Sequence, residues 1–155
     1  MTGDTAPEDA LARRCAEAMY AGDRASQALG MRLEWVAAGA ACMTMTLRPD
    51  MLNGHGSGHG GLIFSLADST FAFACNSYNQ VTVAESCHIA FLAPARGGDL
   101  LTAIAREVVR EGRNGLYDVR VTNQDSRVIA EFRGKSRTLS GALVDGDADQ
   151  DREKT

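Results

Sequence analysis

A single carboxylate stands out in the most apolar part of this 155-residue chain. Between Met51 and Ala84 the only charged side chain, histidines aside, is Asp68, which falls within the apolar run LIFSLADSTFAFACNSY. Burying an ionised carboxylate among apolar groups is costly, and Asp disfavours the interior of a helix. Asp68 is therefore predicted to be a general base or nucleophile in an apolar pocket, with a buried carboxyl group bonded to a neighbouring hydroxyl as the alternative.

A glycine-dense loop, NGHGSGHGG, leads into this apolar run. Gly60 and Gly61 stand where a helix would begin, so unpaired backbone N–H groups should point out from its N-terminus. Glycine also lets a ligand approach the backbone closely. Such a site suits a carbonyl oxygen that gains negative charge during acyl transfer. The alternative is a loop whose glycines only satisfy turn geometry.

The spacing of these two features limits how they can cooperate. Gly60 and Asp68 are eight residues apart, or about 12 Å along a helix. One substrate carbonyl cannot touch both groups on the same helix. Two copies of the chain related by a two-fold axis could bring Asp68 of one to the helix N-terminus of the other. If both features serve one reaction, the protein is at least a dimer.

The surrounding pattern predicts an α+β fold in which one helix lies across an antiparallel sheet. A first amphipathic helix is expected over 8–21, and the apolar run predicts a buried helix from about 60 to 77. Alternating apolar and polar residues predict six strands, near 31–35, 43–47, 81–92, 100–110, 117–121 and 128–137. Short turns between consecutive strands make the sheet antiparallel.

Composition excludes several classes of protein. The chain is 45% hydrophobic with a net charge of −4, which gives no general attraction to nucleic acid or anionic lipid. Five acids and two bases in Val144–Thr155 put −3 in the tail and leave −1 for the rest. No apolar run reaches the length of a membrane span, and the polar start does not resemble a signal peptide. Four cysteines without C-x-x-C pairing indicate free thiols in a reducing cytoplasm.

The motif N-G-H-x-x-x-H-G-G-L-I-F-S-L-A-D, from Asn53 to Asp68, resembles the signature of the hotdog-fold acyl-CoA thioesterases. The resemblance is closest to the branch named for phenylacetic acid degradation (PaaI-like), and it extends to FAFACNSY, FLAPARGGDLLTA and EFRGKSRTL. It implies a long central helix wrapped by a curved antiparallel sheet of five to six strands. It also implies active sites between subunits and dimers that pair into tetramers. The expected divisions are an N-terminal helical segment (1–24), the hotdog domain (25–141) and a disordered acidic tail (142–155).

The resemblance also implies roles for individual residues. Asp68 would attack the thioester carbonyl or activate a water, and the Gly60 N–H of the other subunit would polarise that carbonyl. Asn53 matches the polar residue that orients the nucleophile or water, and His59 matches the histidine before the oxyanion glycine. His55 is a further substrate-side candidate, with a turn histidine as the alternative.

Other candidates surround the predicted site. Gly61, Ser69, Phe64 and Phe71 are expected on the substrate side, Ser69 as a support for the carboxylate or as a hydroxyl bonded back to its own helix. Three cations on one face of the last predicted strand are candidates for the CoA phosphates: Arg133, Lys135 and Arg137. The alternative for these cations is an edge strand protected by charge.

The resemblance favours hydrolysis of aryl-acetyl or hydroxyphenylacetyl-CoA to free acid and CoA, with no metal and no organic cofactor. Medium-chain or other aromatic acyl groups would fit the same apolar pocket. Two alternatives stay open. One is a hotdog enoyl-CoA hydratase, because Asp50 and His55 have a spacing like that family's catalytic pair. The other is a non-catalytic acyl-CoA-binding oligomer.

Overall fold

The structure, a computed structural model, describes residues 6–146. Three helices and six strands form the fold: α1 (Pro7–Gly22), α2 (Arg24–Ala28), β1 (Arg32–Ala37), β2 (Ala40–Thr46), α3 (Gly60–Cys75), β3 (Thr82–Phe91), β4 (Leu100–Glu111), β5 (Asn114–Thr122) and β6 (Val128–Thr138), with one 3-10 turn at Pro49–Met51. Each predicted helix and strand is confirmed, with ends that differ by a few residues.

The six strands form one antiparallel sheet in the order β1-β2-β4-β5-β6-β3. Short turns join three of the pairs, β1–β2, β4–β5 and β5–β6. β2 instead pairs with β4, and β3, which follows α3, pairs with β6 at the far side. Register shifts interrupt four of the five strand pairings, and such irregularities bend a sheet. β1 and β3 are therefore the two edge strands of a curved sheet.

α3 lies across the inner face of this sheet and is apolar because it is the centre of the core. Every second residue of β4, β5 and β6 turns inward onto it, as a half-buried strand requires. The inward residues are nearly inaccessible to solvent: Leu101, Ala103, Ala105, Tyr117, Val119, Val121, Ala130 and Phe132. This is the predicted α+β arrangement of one long helix against a curved antiparallel sheet.

The C-terminal end of α3 is fixed by Asn76, which is only 4% exposed. Its side-chain amide donates to the carbonyl of Ala72 at 2.9 Å and to that of Thr82 at 2.9 Å. Its side-chain oxygen accepts the N–H of Thr82 at 2.9 Å. The helix therefore ends two residues before the predicted position and is joined directly to the first residue of β3.

The segments that flank the sheet are held by specific contacts. Asp9 of α1 accepts the backbone N–H of Ala38 at 2.9 Å, beyond the end of β1. Asn79 accepts the N–H groups of Leu143 and Val144, both at 2.9 Å. The bonded part of the chain thus continues past residue 141, while 147–155 of the predicted tail and residues 1–5 lie outside the described residues. Across 6–146, no helix has the length and apolar character to cross a membrane.

Candidate active site

The loop before α3 is organised by the side chain of Asn53. Its oxygen accepts the N–H of His55 at 2.9 Å, the N–H of Ser57 at 3.2 Å and the Ser57 hydroxyl at 3.3 Å. Asn is suited to this position because its short amide can replace backbone acceptors in a turn. Its amide nitrogen has no hydrogen-bond partner among the described residues and remains available to a ligand.

His59 caps the N-terminus of α3. Its Nδ1 atom accepts the N–H of Gly61 at 3.0 Å, which satisfies one of the unpaired donors of the first turn. Nδ1 must be unprotonated to accept, so the neutral ring carries its proton on Nε2. The ring of His59 is therefore oriented by the helix, with its second nitrogen as a donor.

The N–H of Gly60 is left unpaired by the same arrangement. The Gly61 N–H donates to His59 Nδ1, and the N–H groups of Leu62 and Ile63 donate to the His59 carbonyl. The Gly60 N–H donates no hydrogen bond within residues 6–146. A Cβ atom at position 60 would lie 3.1 Å from the ring of Phe91. Glycine here thus leaves the donor open and makes room for an aromatic ring that is 52% exposed.

Asp68 lies two turns further along α3 and is partly buried. Burial raises the pKa of its carboxyl group above the usual range, and a contact from Cys87 of β3 opposes that shift in part. The Sγ atom of Cys87 is 3.9 Å from Asp68 Oδ1. A carboxylate in such apolar surroundings is a stronger base than one in water, which suits proton abstraction or nucleophilic attack.

One chain brings only part of the predicted site together. His59 and Gly60 lie at the N-terminus of α3 and Asn53 lies in the loop before it, whereas Asp68 is about 12 Å from Gly60 along the helix axis. His55 is exposed in the turn of the loop, where its backbone N–H is bonded to Asn53. The carboxylate and the open Gly60 donor therefore lie at different places on the single chain.

Two of the predicted substrate-side residues have other contacts. Ser69 turns toward α2, where its hydroxyl lies 2.9 Å from that of Ser26 and does not support Asp68. Phe71 is 1% exposed and packs against the rings of Tyr117 and Phe132, so it is a core residue. Both predictions are corrected by these contacts, because a neighbouring element covers each side chain.

Gly61 and Phe64 remain accessible to solvent, Phe64 in part. Gly61 is exposed beside the His59 ring, and its N–H is already used by the helix cap. Phe64 is partly exposed, and its ring meets that of Phe132 edge-on at 5.4 Å between centroids. Phe64 is therefore anchored in the core at one end and accessible at the other.

The three predicted phosphate ligands lie on the outer face of β6, which faces away from α3. Arg133 forms a bidentate pair with Asp118 of β5 at 2.6 and 2.8 Å, and Lys135 lies 2.5 Å from Glu85 of β3. The hydrogen bond and charge of Lys135 lower the pKa of Glu85, and Arg137 adds to this effect. β6 lies between β5 and β3, so the alternative of a charge-protected edge strand is wrong.

The pair of residues that suggested a hydratase is not assembled. Asp50 is exposed and bonds to Arg48, with Arg48 Nε 3.0 Å from Asp50 Oδ1. This hydrogen bond lowers the pKa of the Asp50 carboxyl group. A weakened base that is already paired with a cation does not favour the hydratase alternative.

Sequence reasoning placed the strand over 81–90 near the substrate pocket but singled out neither Cys87, which lies beside Asp68, nor Phe91, which lies beside Gly60. The sequence pattern over 81–92 predicted a strand but did not indicate which other strand would pair with it. Alternation along the strand does place Cys87 and Ile89 on the same face, and that signal could have pointed to Cys87. Within the described part of the chain, no group of three or more His, Cys, Asp or Glu side chains could hold a metal ion.

Known proteins match this chain in sequence. The family model of the thioesterase superfamily matches residues 55–130, which span the glycine loop, α3 and the strands as far as the beginning of β6. The acyl-coenzyme A thioesterase PaaI of Escherichia coli K12 is 45% identical over 129 residues, covering 83% of this chain and 92% of the relative.

Solved structures agree with this match. The E. coli PaaI protein from the phenylacetic acid degradation operon superposes with a TM-score of 0.85 at 44% identity, over 86% of this chain and 97% of that one. A mutant of the phenylacetic acid degradation protein PaaI from Thermus thermophilus gives 0.73 at 35% identity, over 76% and 100%. A Streptococcus mutans UA159 protein bound to acetyl CoA gives 0.70 at 25% identity, over 72% and 90%.

The resemblance seen in the motif from Asn53 to Asp68 is thus confirmed over most of the chain. The hotdog fold predicted from it is confirmed as well, since α3 and the six-stranded sheet superpose on those of PaaI. The chain belongs to the thioesterase superfamily, as a PaaI-like acyl-CoA thioesterase.

Proposed function

We propose that this protein hydrolyses aryl-acetyl-CoA thioesters, of the phenylacetyl or hydroxyphenylacetyl class, to the free acid and CoA. The observation that carries the proposal is the open N–H of Gly60 at the start of the helix that holds Asp68. A thioester hydrolase needs a donor for the carbonyl oxygen and a base or nucleophile for the carbonyl carbon. α3 supplies one of each.

In the proposed reaction, the Gly60 N–H and the positive end of α3 polarise the thioester carbonyl. The Asp68 carboxylate either attacks the carbonyl carbon or removes a proton from an attacking water. The tetrahedral intermediate collapses with cleavage of the carbon–sulfur bond, and the thiolate of CoA leaves with the electron pair. When Asp68 is the nucleophile, a mixed anhydride remains on its carboxyl group, and water hydrolyses it to the free acid. When Asp68 is the base, the acid forms directly and the proton taken from water passes to the thiolate. The amide nitrogen of Asn53 and the Nε2 proton of His59 are proposed to orient the water or the substrate. The chemistry calls for neither a metal nor an organic cofactor.

Each site is proposed to form between two copies of the chain. The separation of Gly60 and Asp68 within one helix, about 12 Å, requires the donor and the carboxylate to come from different subunits. A stripe of α3 that holds Asp68 stays partly open, with Gly61, Ser65 and Ala72 along the same face. β3 is an edge strand of ten residues beside this stripe, with no neighbouring strand on its outer side in the described chain, and a second copy would cover both. Dimers are further proposed to pair into tetramers.

The aromatic substrate class rests on the residues near Gly60 and on the named relatives. Phe91 is exposed against the oxyanion glycine, and Phe64 is partly exposed on α3, so aromatic surface is available where the acyl group would lie. The E. coli PaaI protein comes from a phenylacetic acid degradation operon, and the S. mutans protein binds acetyl CoA. The CoA phosphates are proposed to meet Arg137, with Arg133 and Lys135 available if they leave their carboxylate partners. The four free thiols suit a cytoplasmic enzyme.

The proposal is tested by comparing two substitutions at one position. Gly60→Pro removes the N–H, and proline is accepted at the first position of a helix. Gly60→Ala places the same Cβ against Phe91 but keeps the N–H. Thiol release from phenylacetyl-CoA should fall by about 10²–10³-fold more in kcat for Gly60→Pro than for Gly60→Ala. Equal activities would remove Gly60 from the mechanism.

The same assay tests the substrate class. Wild-type protein should show a kcat/KM for phenylacetyl-CoA at least about tenfold above that for hexanoyl-CoA, because aromatic surface at Phe91 and Phe64 favours a planar ring. Consumption of an enoyl-CoA without thiol release would instead identify a hydratase. Faster cleavage of hexanoyl-CoA would contradict the aryl-acetyl class while leaving thioester hydrolysis intact.

A further inference from the structure

The Asp68 carboxylate is met from across the helix–sheet interface by a thiol. Cys87 lies on β3, and its Sγ atom is 3.9 Å from Asp68 Oδ1, within the reach of an S–H donor. Among the described residues it is the only side chain that bonds to Asp68. The second carboxylate oxygen, Oδ2, is left for a ligand.

The sheet is shaped to allow this contact. Cys87 is paired in register with Gly134 on β6, and the ring of Phe71 lies where a side chain at 134 would be. A Cβ atom at Gly134 would come within 2.8 Å of that ring. Asp68 and Phe71 are three residues apart and share a helix face, so the glycine that admits Phe71 also lets α3 approach β3 closely. The contact of Asp68 with Cys87 therefore depends on the close packing of α3 against β3.

We propose that Cys87 is a positioning residue, which donates its S–H to Asp68 Oδ1 and fixes the orientation in which the carboxylate faces the thioester or the water. The inference rests on the proposed function of Asp68. It assigns Cys87 no covalent role, because the thiol keeps its proton throughout. A carboxylate held by one oxygen presents the other in a single direction, which lowers the entropy lost on reaching the transition state.

The charges around the pair fix the direction of the hydrogen bond. Burial and the nearby Asp68 carboxylate raise the pKa of Cys87 to about 11, so it is a thiol donor at neutral pH. Among the described residues, Cys75 on α3 is the other titratable group whose pKa is affected by Asp68. Burial is the main cause that raises the pKa of Cys75 to about 12, and the Asp68 carboxylate adds to it. Both sulfurs are therefore neutral at neutral pH, and Cys87 can only donate to the Asp68 carboxylate.

The test compares Cys87→Ala with Cys87→Ser in the pH dependence of kcat/KM for phenylacetyl-CoA. Removal of the donor in Cys87→Ala should cost about 2- to 10-fold in kcat/KM and should move the acidic limb of the profile to higher pH. A hydroxyl still donates, so Cys87→Ser should keep kcat/KM close to the wild-type value with the limb unmoved or at lower pH. Profiles of the same shape and midpoint in all three proteins would overturn the proposal.

A second measurement does not depend on activity. The rate at which iodoacetamide alkylates Cys87, followed by peptide mass spectrometry, reports the fraction of thiolate at each pH. Replacement of the charge in Asp68→Asn should shift the midpoint of this rate to lower pH. An unchanged midpoint would overturn the contact. Wild-type protein that releases no thiol, yet shows the alkylation shift, would defeat the proposed function and leave the Asp68–Cys87 contact standing.

Discussion

At the scale of single residues, the ionised Asp68 carboxylate lowers the stability of the fold because it is partly buried, and the same burial makes it the stronger base that the proposed reaction uses. Its pKa is raised in the folded chain, so the folded state binds the proton more tightly than the unfolded state does. The free energy of unfolding therefore decreases as pH rises through the folded pKa of Asp68. The carboxylate thus acts against the stability of the fold at neutral pH.

This sign leads to a prediction for Asp68→Asn. The variant should be more stable than wild type at pH 8, and the difference should shrink as pH falls and the wild-type carboxyl group becomes protonated. Thermal unfolding followed by circular dichroism between pH 4 and pH 8 measures both curves. Asp50→Asn is the matched control, because Arg48 lowers the pKa of Asp50 and its loss should not stabilise the protein. Equal gain in both variants would contradict the role of burial at Asp68.

At the same scale, the sequence predicted candidate residues for the site but not the neighbours that those residues have in the fold. The motif singled out the loop of Asn53, the cap at His59 and the helix that holds Asp68. Ser69 and Phe71 were placed on the substrate side because a helix taken alone has no known inner face. Only the packing of α2 and of the sheet decides that one is bonded to Ser26 and the other is buried.

At the scale of elements, the seating of α3 depends on Gly134. A methyl group there would overlap the ring of Phe71, and the ring is confined by Tyr117 and Phe132. Gly134→Ala should therefore lower the free energy of unfolding by about 1–3 kcal/mol, as other overpacked core sites do. Denaturation in urea measures the change.

The matched control for Gly134→Ala is Gly22→Ala at the end of α1. Its Cβ would meet nothing within 4 Å, so this variant should be neutral or slightly stabilising. The pair Gly134→Ala and Phe71→Leu should also be less destabilised than the sum of the two single variants, because the smaller side chain relieves the overlap. Additive losses would mean that Gly134 and Phe71 do not compete for the same space.

The elements themselves were readable from local periodicity, whereas their order in the sheet was not. Alternation along 100–110 or 117–121 reports only that one face is buried. The pairing of β3 with β6 depends on where the chain returns after α3, which no local pattern specifies. For that reason the three cations of β6 were given an edge-strand alternative, and the contact of Cys87 with Asp68 was not foreseen.

At the scale of the whole molecule, the proposed site sharing makes a quantitative prediction about mixed subunits. Asp68→Asn and Gly60→Pro copies are each expected to be inactive alone. A dimer that contains one of each has one site with both defects and one site with Asp68 and the Gly60 N–H intact. Random exchange from an equal mixture gives about half mixed dimers, so about a quarter of wild-type activity should return. The assay is thiol release after the two variants are unfolded and refolded together.

The control for this mixture is Asp68→Asn refolded with the double variant Asp68→Asn, Gly60→Pro. Every dimer then lacks the carboxylate, so no activity should return, although the same subunits exchange. Native mass spectrometry counts the mixed dimers in both experiments. Mixed dimers without recovered activity would contradict the shared site. They would also contradict the argument that one carbonyl cannot reach two groups about 12 Å apart on the same helix. Recovery near a quarter would assign each reaction to two chains, and would explain why a helix with a partly open carboxylate stripe and an edge strand of ten residues needs a second copy to work.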